Sequence, residues 1–126
     1  MAIVGIGTDL VVIKRIEEIL LRHEERFVER VLHPNEMQRF KASAFPERFL
    51  SKRFAAKEAV SKALGTGIAE GVALHDIEVV NDELGKPHIC LHGGAKMRMQ
   101  QLGATHCHLS LTDERDHAIA FAVLES

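Results

Sequence analysis

The chain has 126 residues, 46% of them hydrophobic and 27% charged, with a formal net charge of −2. That length bounds it to a single domain over residues 1–126 with a modest core, drawn from Ile, Val, Leu and Ala because Trp and Tyr are absent. No apolar run is long enough for a membrane span, and residues 1–13 lack the basic start and cleavage site of a secretory signal. A cytoplasmic protein is expected, with Cys90 and Cys107 as reduced thiols. The small net charge hides an asymmetry. Residues 1–62 carry 12 Lys and Arg against 9 Asp and Glu, whereas residues 63–126 carry 4 against 9. An anionic substrate or partner at the basic half fits this balance. Nucleic acid does not, since it calls for a stronger basic excess and stacking aromatics.

Residues 2–11 are rich in β-branched side chains and predict a strand. Residues 13–22 predict a helix with Ile13, Ile16, Ile19 and Leu20 on one face. A second short helix is expected over 24–32, through Phe27, Val28 and Val31. Pro34 suits the first turn of a third, with Met37 and Phe40 turned inward. Residues 46–64 predict a long central helix, opened by Pro46 and closed by Gly65. Strands at 77–81 and 88–91 flank the turn Asp82-Glu83-Leu84-Gly85, which makes a hairpin. Gly93-Gly94 is expected to break the chain before a short helix at 95–102. Strands at 105–111 and 117–124 follow, joined by a polar turn at 112–116. The sum is an α+β domain with a mostly antiparallel sheet packed against the long central helix.

The chemistry concentrates in Arg53-Phe54-Ala55-Ala56-Lys57-Glu58-Ala59-Val60-Ser61-Lys62. On a helix Glu58 and Lys62 share a face one turn apart, and so do Arg53 and Lys57. Asp9 ends the apolar run Ile3-Val4-Gly5-Ile6-Gly7-Thr8, and a lone acid there is expensive to bury unless paired or bound to a cation. Carboxylates from two distant segments suit Mg²⁺, which takes oxygen ligands and shares its shell with substrate phosphates. The plainer alternative is a helix-capping Asp9 and an ordinary Glu58–Lys62 ion pair. Arg53, Lys57 and Lys62 either neutralise phosphate, with Lys62 assisting a leaving group, or form a solvated basic stripe. Gly65-Thr66-Gly67 is a helix cap or a phosphate loop, and no Walker motif is present. Gly85-Lys86-Pro87 reads first as hairpin punctuation. His106 and His108 share one face of a strand, with His117 on the expected partner strand. A closed zinc site there would need a further ligand that the spacing does not supply.

Taken together, Gly5-Ile6-Gly7-Thr8-Asp9, Arg53 through Ala59 with Lys62, Gly65-Thr66-Gly67-Ile68, Gly85-Lys86-Pro87 and the strand pair containing Ser110 resemble the bacterial holo-[acyl carrier protein] synthases. The match runs over essentially the whole chain, with each segment in order. It implies a 4′-phosphopantetheinyl transferase fold. The implied reaction moves 4′-phosphopantetheine from coenzyme A to a serine of apo-acyl carrier protein and releases adenosine 3′,5′-bisphosphate, for fatty acid biosynthesis. The resemblance also implies Mg²⁺ dependence and homotrimers with active sites between subunits. Asp9 and Glu58 match metal ligands and, with Lys62, the catalytic group. Lys62, Arg53, Gly65, Lys86 and Ser110 match the coenzyme pocket.

One departure stands out. Many members carry a His on the penultimate strand where this chain has Asp113, in Ser110-Leu111-Thr112-Asp113-Glu114. An acid cannot donate to phosphate at neutral pH, which leaves His108 or His117 to compensate. The serine's base stays open among Glu58, Asp9 and a metal-held water. Acyl carrier proteins are acidic, so a basic docking surface is expected at Lys14, Arg15, Arg22 and Arg26, on the helix that follows Asp9. The alternatives are a Mg²⁺-dependent pyrophosphate hydrolase and a noncatalytic nucleotide-binding module.

Overall fold

A computed structural model describes residues 1–126. The chain runs β1 (Ile3–Val12), α1 (Ile13–Val31), a 3₁₀ turn (Pro34–Glu36), α2 (Met37–Ala42) and α3 (Pro46–Ala63). A second 3₁₀ turn (Leu74–Asp76) leads into β2 (Ile77–Asn81), β3 (Pro87–Leu91), α4 (Gly93–Gln101), β4 (His106–Asp113) and β5 (His117–Glu125). The expected antiparallel architecture holds, but it is divided into two sheets. One is three-stranded in the order β1-β5-β4, and the other is the β2-β3 hairpin.

The long helix α3 lies on the inner face of the three-stranded sheet. Small residues make that close approach possible. Ala55, Ala56, Ala59 and Ala63 on α3 are buried, as are Ala118, Ala120 and Ala122 on β5. A Cβ at Gly5 or Gly7 would collide with the carbonyl oxygens of Ala63 and Ala59. The glycines of β1 therefore let the α3 backbone sit directly against the strand. Alternation along β5 leaves its other set, Ile119 and Phe121, on the outer face.

The two helices expected at 13–22 and 24–32 are both present, as the two arms of α1, and they meet at His23, whose φ of −142° and ψ of 44° leave helical space. Three local expectations need correction. Gly93 and Gly94 open α4 instead of preceding it: Gly93 makes the bend with φ 49°, and Gly94 admits the close approach of the Gly71 carbonyl. The turn expected at 112–116 is shorter. Thr112 and Asp113 still pair with Ile119 and Ala118, so β4 runs to Asp113. Finally, Lys57 belongs to neither a phosphate site nor a solvated stripe. It is fully buried, with Nζ 2.5 Å from Glu36 Oε1.

Glu36 makes that burial tolerable by collecting several partners. Its Oε1 also accepts the His33 amide at 2.8 Å, its Oε2 accepts the Val79 amide at 3.1 Å, and Arg53 Nε stands 3.2 Å from Oε2. The Arg53 Nε–H is misaligned for a hydrogen bond at that distance, so this last contact is electrostatic. A buried carboxylate thereby ties the 3₁₀ turn to α3 and β2. Desolvation holds the Lys57 ammonium down at about 8, and Glu36 opposes that shift.

Candidate active site

Inward-facing positions of β1 alternate through Gly5, Gly7 and Asp9, so the register that admits α3 also turns the Asp9 carboxylate toward it. Lys62, in the last turn of α3, places Nζ 3.0 Å from Asp9 Oδ1 and donates to the Thr8 carbonyl at 2.9 Å. Glu58 sits one turn earlier on the same helix face. Its carboxyl is pushed above the usual glutamate range, first by burial and then by the charge of Asp9, while Lys62 and Arg30 pull the other way. Asp9, Glu58 and Lys62 thus share a corner between β1 and α3. Two carboxylates that repel each other across a half-buried corner, with a single lysine in contact, fit an oxygen-liganded divalent cation well.

Of the other expected residues, Gly65 adjoins the corner and the rest lie apart from it. Arg53 is buried, donates from Nη2 to Asn81 Oδ1 at 3.0 Å and lies 4.7 Å over the Phe49 ring. Arg39 reaches the same Asn81 oxygen at 3.1 Å. Arg39, Lys52, Arg53, Asn81, Gly85 and Asp113 are among the residues lining one cavity of about 260 Å³. Lys86 is exposed beside it, with its amide donating to Asp82 Oδ1 at 2.9 Å. Gly65 adopts φ 82° as the cap of α3, and its amide donates to the Lys62 carbonyl at 2.9 Å. Ser110 lies on β4 opposite Phe121, on the outer sheet face. Within one chain, therefore, Arg53, Lys86 and Ser110 do not join Asp9 and Glu58.

The histidines of β4 do not form the cluster that the sequence allows. His106 and His108 stack with centroids 6.1 Å apart, and His108 Nε2 meets Glu125 Oε1 at 3.2 Å. His117 starts β5 at the far end, opposite Val12. Two groups escaped the sequence reading. Arg48, in the first turn of α3, pairs with Asp113 Oδ2 at 2.8 Å and also donates to the carbonyls of Glu114 and Arg115. Asp113 is therefore a neutralised acid. Arg30, in the last turn of α1, contributes to the field at Glu58. The partners lie far apart in sequence, so no local pattern marks either pair.

Lys14, Arg15, Arg22 and Arg26 are all exposed on α1, and none is within ion-pair distance of an acid. A third cluster, His33, Glu78 and His92, brings two imidazoles and a carboxylate together with ligand atoms within 4.8 Å of one another. No helix is long and apolar enough to cross a membrane.

An α+β fold with two acids and a lysine at a strand–helix corner suits phosphoryl transfer, and the comparisons identify the family. A family model for the 4′-phosphopantetheinyl transferase superfamily matches residues 5–122. A holo-[acyl-carrier-protein] synthase of Vibrio parahaemolyticus is 54% identical over 126 residues, covering 100% of both chains. The crystal structure of holo-[acyl-carrier-protein] synthase from Neisseria meningitidis superposes with TM-score 0.92 at 40% identity, covering 99% of this chain and 100% of that one. A Bacillus anthracis holo-(acyl-carrier-protein) synthase, solved in complex with CoA (3′,5′-ADP), matches with TM-score 0.82 at 40% identity, covering 98% and 97%. The chain belongs to the 4′-phosphopantetheinyl transferase superfamily, among its holo-[acyl-carrier-protein] synthases.

Proposed function

We propose that the Asp9–Glu58–Lys62 corner is the catalytic part of the site at which this enzyme, one domain over residues 1–126, transfers 4′-phosphopantetheine from coenzyme A to a serine of apo-acyl carrier protein. The observation that carries the assignment is the convergence of Asp9 from β1 and Glu58 from α3, with Lys62 Nζ held 3.0 Å from Asp9 Oδ1. In the reaction the serine oxygen forms a bond to the pantetheine-side phosphorus of the pyrophosphate. The bond from that phosphorus to the bridging oxygen breaks, and adenosine 3′,5′-bisphosphate leaves. The serine's proton passes to a carboxylate of the corner. Mg²⁺ held by Asp9 and Glu58 would neutralise the pyrophosphate and polarise the phosphorus under attack. Lys62 needs only to turn from Asp9 to meet the charge that grows on the leaving phosphate. Positioning and charge neutralisation suffice for this chemistry, which has few other demands.

Arg53, Gly65, Lys86 and Ser110 are proposed to hold the coenzyme. Gly65 adjoins Lys62, but Arg53, Lys86 and Ser110 lie apart from the corner within one chain, which is the reason to invoke a second chain. Ile6, Leu10, Ile119 and Phe121 leave the β1–β5 part of the outer sheet face with an apolar patch whose residues are 43–61% exposed. A patch of that kind marks an interface. A homotrimer that buries it sets the Arg53–Asn81 cavity of one subunit against the corner of the next. The unpaired bases Lys14, Arg15, Arg22 and Arg26 form the docking surface for the acidic carrier protein, on the helix whose last turn reaches Glu58. A cytoplasmic enzyme of fatty acid biosynthesis fits this activity.

Incubation with coenzyme A, Mg²⁺ and apo-carrier protein, read by mass spectrometry, tests the reaction. The phosphopantetheine adduct on the carrier is expected. Loss of coenzyme A without an adduct would indicate a pyrophosphate hydrolase, and binding without turnover a nucleotide-binding module.

A further inference from the structure

The geometry points to a second metal site, for a borderline divalent cation such as Zn²⁺, at His33, Glu78 and His92. Three separate elements supply the ligands. His33 precedes the first 3₁₀ turn, Glu78 lies in β2, and His92 directly follows β3. Glu78 Oε1 stands 2.8 Å from His92 Nε2 and 3.9 Å from His33 Nδ1. The two rings stack with centroids 4.3 Å apart and planes inclined at 20°. One nitrogen from each ring and one Glu78 oxygen fall within 4.8 Å of one another.

The charge environment is the independent argument. Glu78 is only 7% exposed, yet no Lys or Arg lies within ion-pair distance of it. Its polar partners are the two imidazoles and the Asn35 side-chain amide, which donates to Oε1 at 3.4 Å. The one other buried acid, Glu36, has cations beside it in Lys57 and Arg53. Arg53 and Lys57 act on Glu78 only at longer range, so a dication bound between its carboxylate and the two rings meets a buried negative charge that no Lys or Arg contacts. Two nitrogens and one oxygen select Zn²⁺, Co²⁺ or Ni²⁺ over Mg²⁺, which prefers an all-oxygen shell. Three protein ligands leave one coordination position for water.

Binding requires modest rearrangement. His33 Nδ1 accepts the Asn35 amide at 3.1 Å and Glu78 is hydrogen-bonded to His92, so the cation displaces the latter bond and the His33 ring turns or exchanges its cap. In return the ion fastens the β2–β3 hairpin, which carries Asn81 and Lys86, to the 3₁₀ turn. The site is separate from the Asp9–Glu58 corner and does not depend on the assignment made there.

Tag-free protein stripped with a chelator and titrated with Co²⁺ provides the test. Nitrogen ligation at low coordination number gives a visible absorption band far stronger than that of Co²⁺ in an all-oxygen shell. One such band per chain is expected, unchanged in Asp9→Ala and in the His106→Gln/His108→Gln pair. Zn²⁺ should compete for the site and raise Tm. His92→Gln keeps a hydrogen-bonding group for Glu78 and should weaken Zn²⁺ binding at least ~100-fold, since loss of an outer-shell partner alone costs about 10–100-fold. Absence of the band in the wild-type protein overturns the site, as does a band lost in the β4 histidine pair. If His92→Gln fails to fold, the wild-type spectrum and the β4 control decide the matter between them.

Discussion

Lys62 Nζ lies 3.0 Å from Asp9 Oδ1 across the gap between α3 and β1, with Lys62 half-exposed and Asp9 largely covered. The contact exists because Gly5 and Gly7 let the helix lie against the strand backbone. A motif separated in sequence by half the chain becomes one corner through that packing. The same packing puts Glu58 in the field of Asp9.

That field has a consequence for stability in chelator, without metal. Glu58 has a folded pKa above its unfolded value, so folding favours its protonated form. Its charge therefore costs stability, a cost absent at low pH and growing as pH rises through the normal glutamate range and beyond. Glu58→Gln should melt higher than the wild type at neutral pH, and the gap should close on acidification. Thermal melts between acid and neutral pH check this. A lower melting point for Glu58→Gln at neutral pH would contradict it.

Lys57→Met removes the fully buried ammonium from Glu36. Breaking one side of a buried pair typically costs about 3–5 kcal/mol. A value near the lower end is expected, because Arg53 still stands 3.2 Å from Glu36. Urea unfolding measures the loss. The Lys57→Met/Glu36→Gln double variant should lose less than the sum of the singles.

Much of this fold was legible in the chain. The β-branched run of β1, the proline and glycine bounding α3 and the turn at Asp82–Gly85 each carry a local signal, and each forms where expected. What local signals could not express was depth. Arg53, Lys57 and Lys62 look alike along the helix, yet Lys57 is fully buried, Arg53 nearly so and Lys62 half-exposed. The difference is set by Glu36, whose carboxylate arrives from another element. Asp113 is similar, since its charge is answered by Arg48, 65 positions away. Gly93-Gly94 misled because glycine serves close packing as well as turns, and here Gly94 packs on Gly71.

The outer sheet face tests assembly. Phe121→Asp places a charge at the centre of the apolar patch, where Phe121 is 43% exposed in the single chain. Light scattering should give a threefold mass for the wild type and a smaller species for the variant, with transfer activity lost and circular dichroism retained. Subunit mixing adds a sharper readout. Asp9→Ala and Lys86→Glu should each be inactive alone and should recover activity when co-refolded, as the proposed site between subunits requires.

Carrier docking should respond to α1. Arg15→Glu and Arg22→Glu reverse exposed charges that have no acidic partner in the chain. Rim charges act chiefly on association rate and are screened by salt. The KM for carrier protein should rise several-fold with coenzyme A affinity nearly unchanged, and added salt should narrow the gap. An unaltered carrier KM in the doubly reversed variant at low salt would place docking elsewhere.

The most direct measurement is the rate of phosphopantetheine adduct formation at saturating Mg²⁺, read by mass spectrometry for the wild type, Asp9→Ala and Glu58→Ala. Each variant is expected to fold and to slow at least ~100-fold, by analogy with the loss of one oxyanion-hole donor. Near-normal turnover in either folded variant would contradict the assignment of the Asp9–Glu58 corner as the catalytic centre.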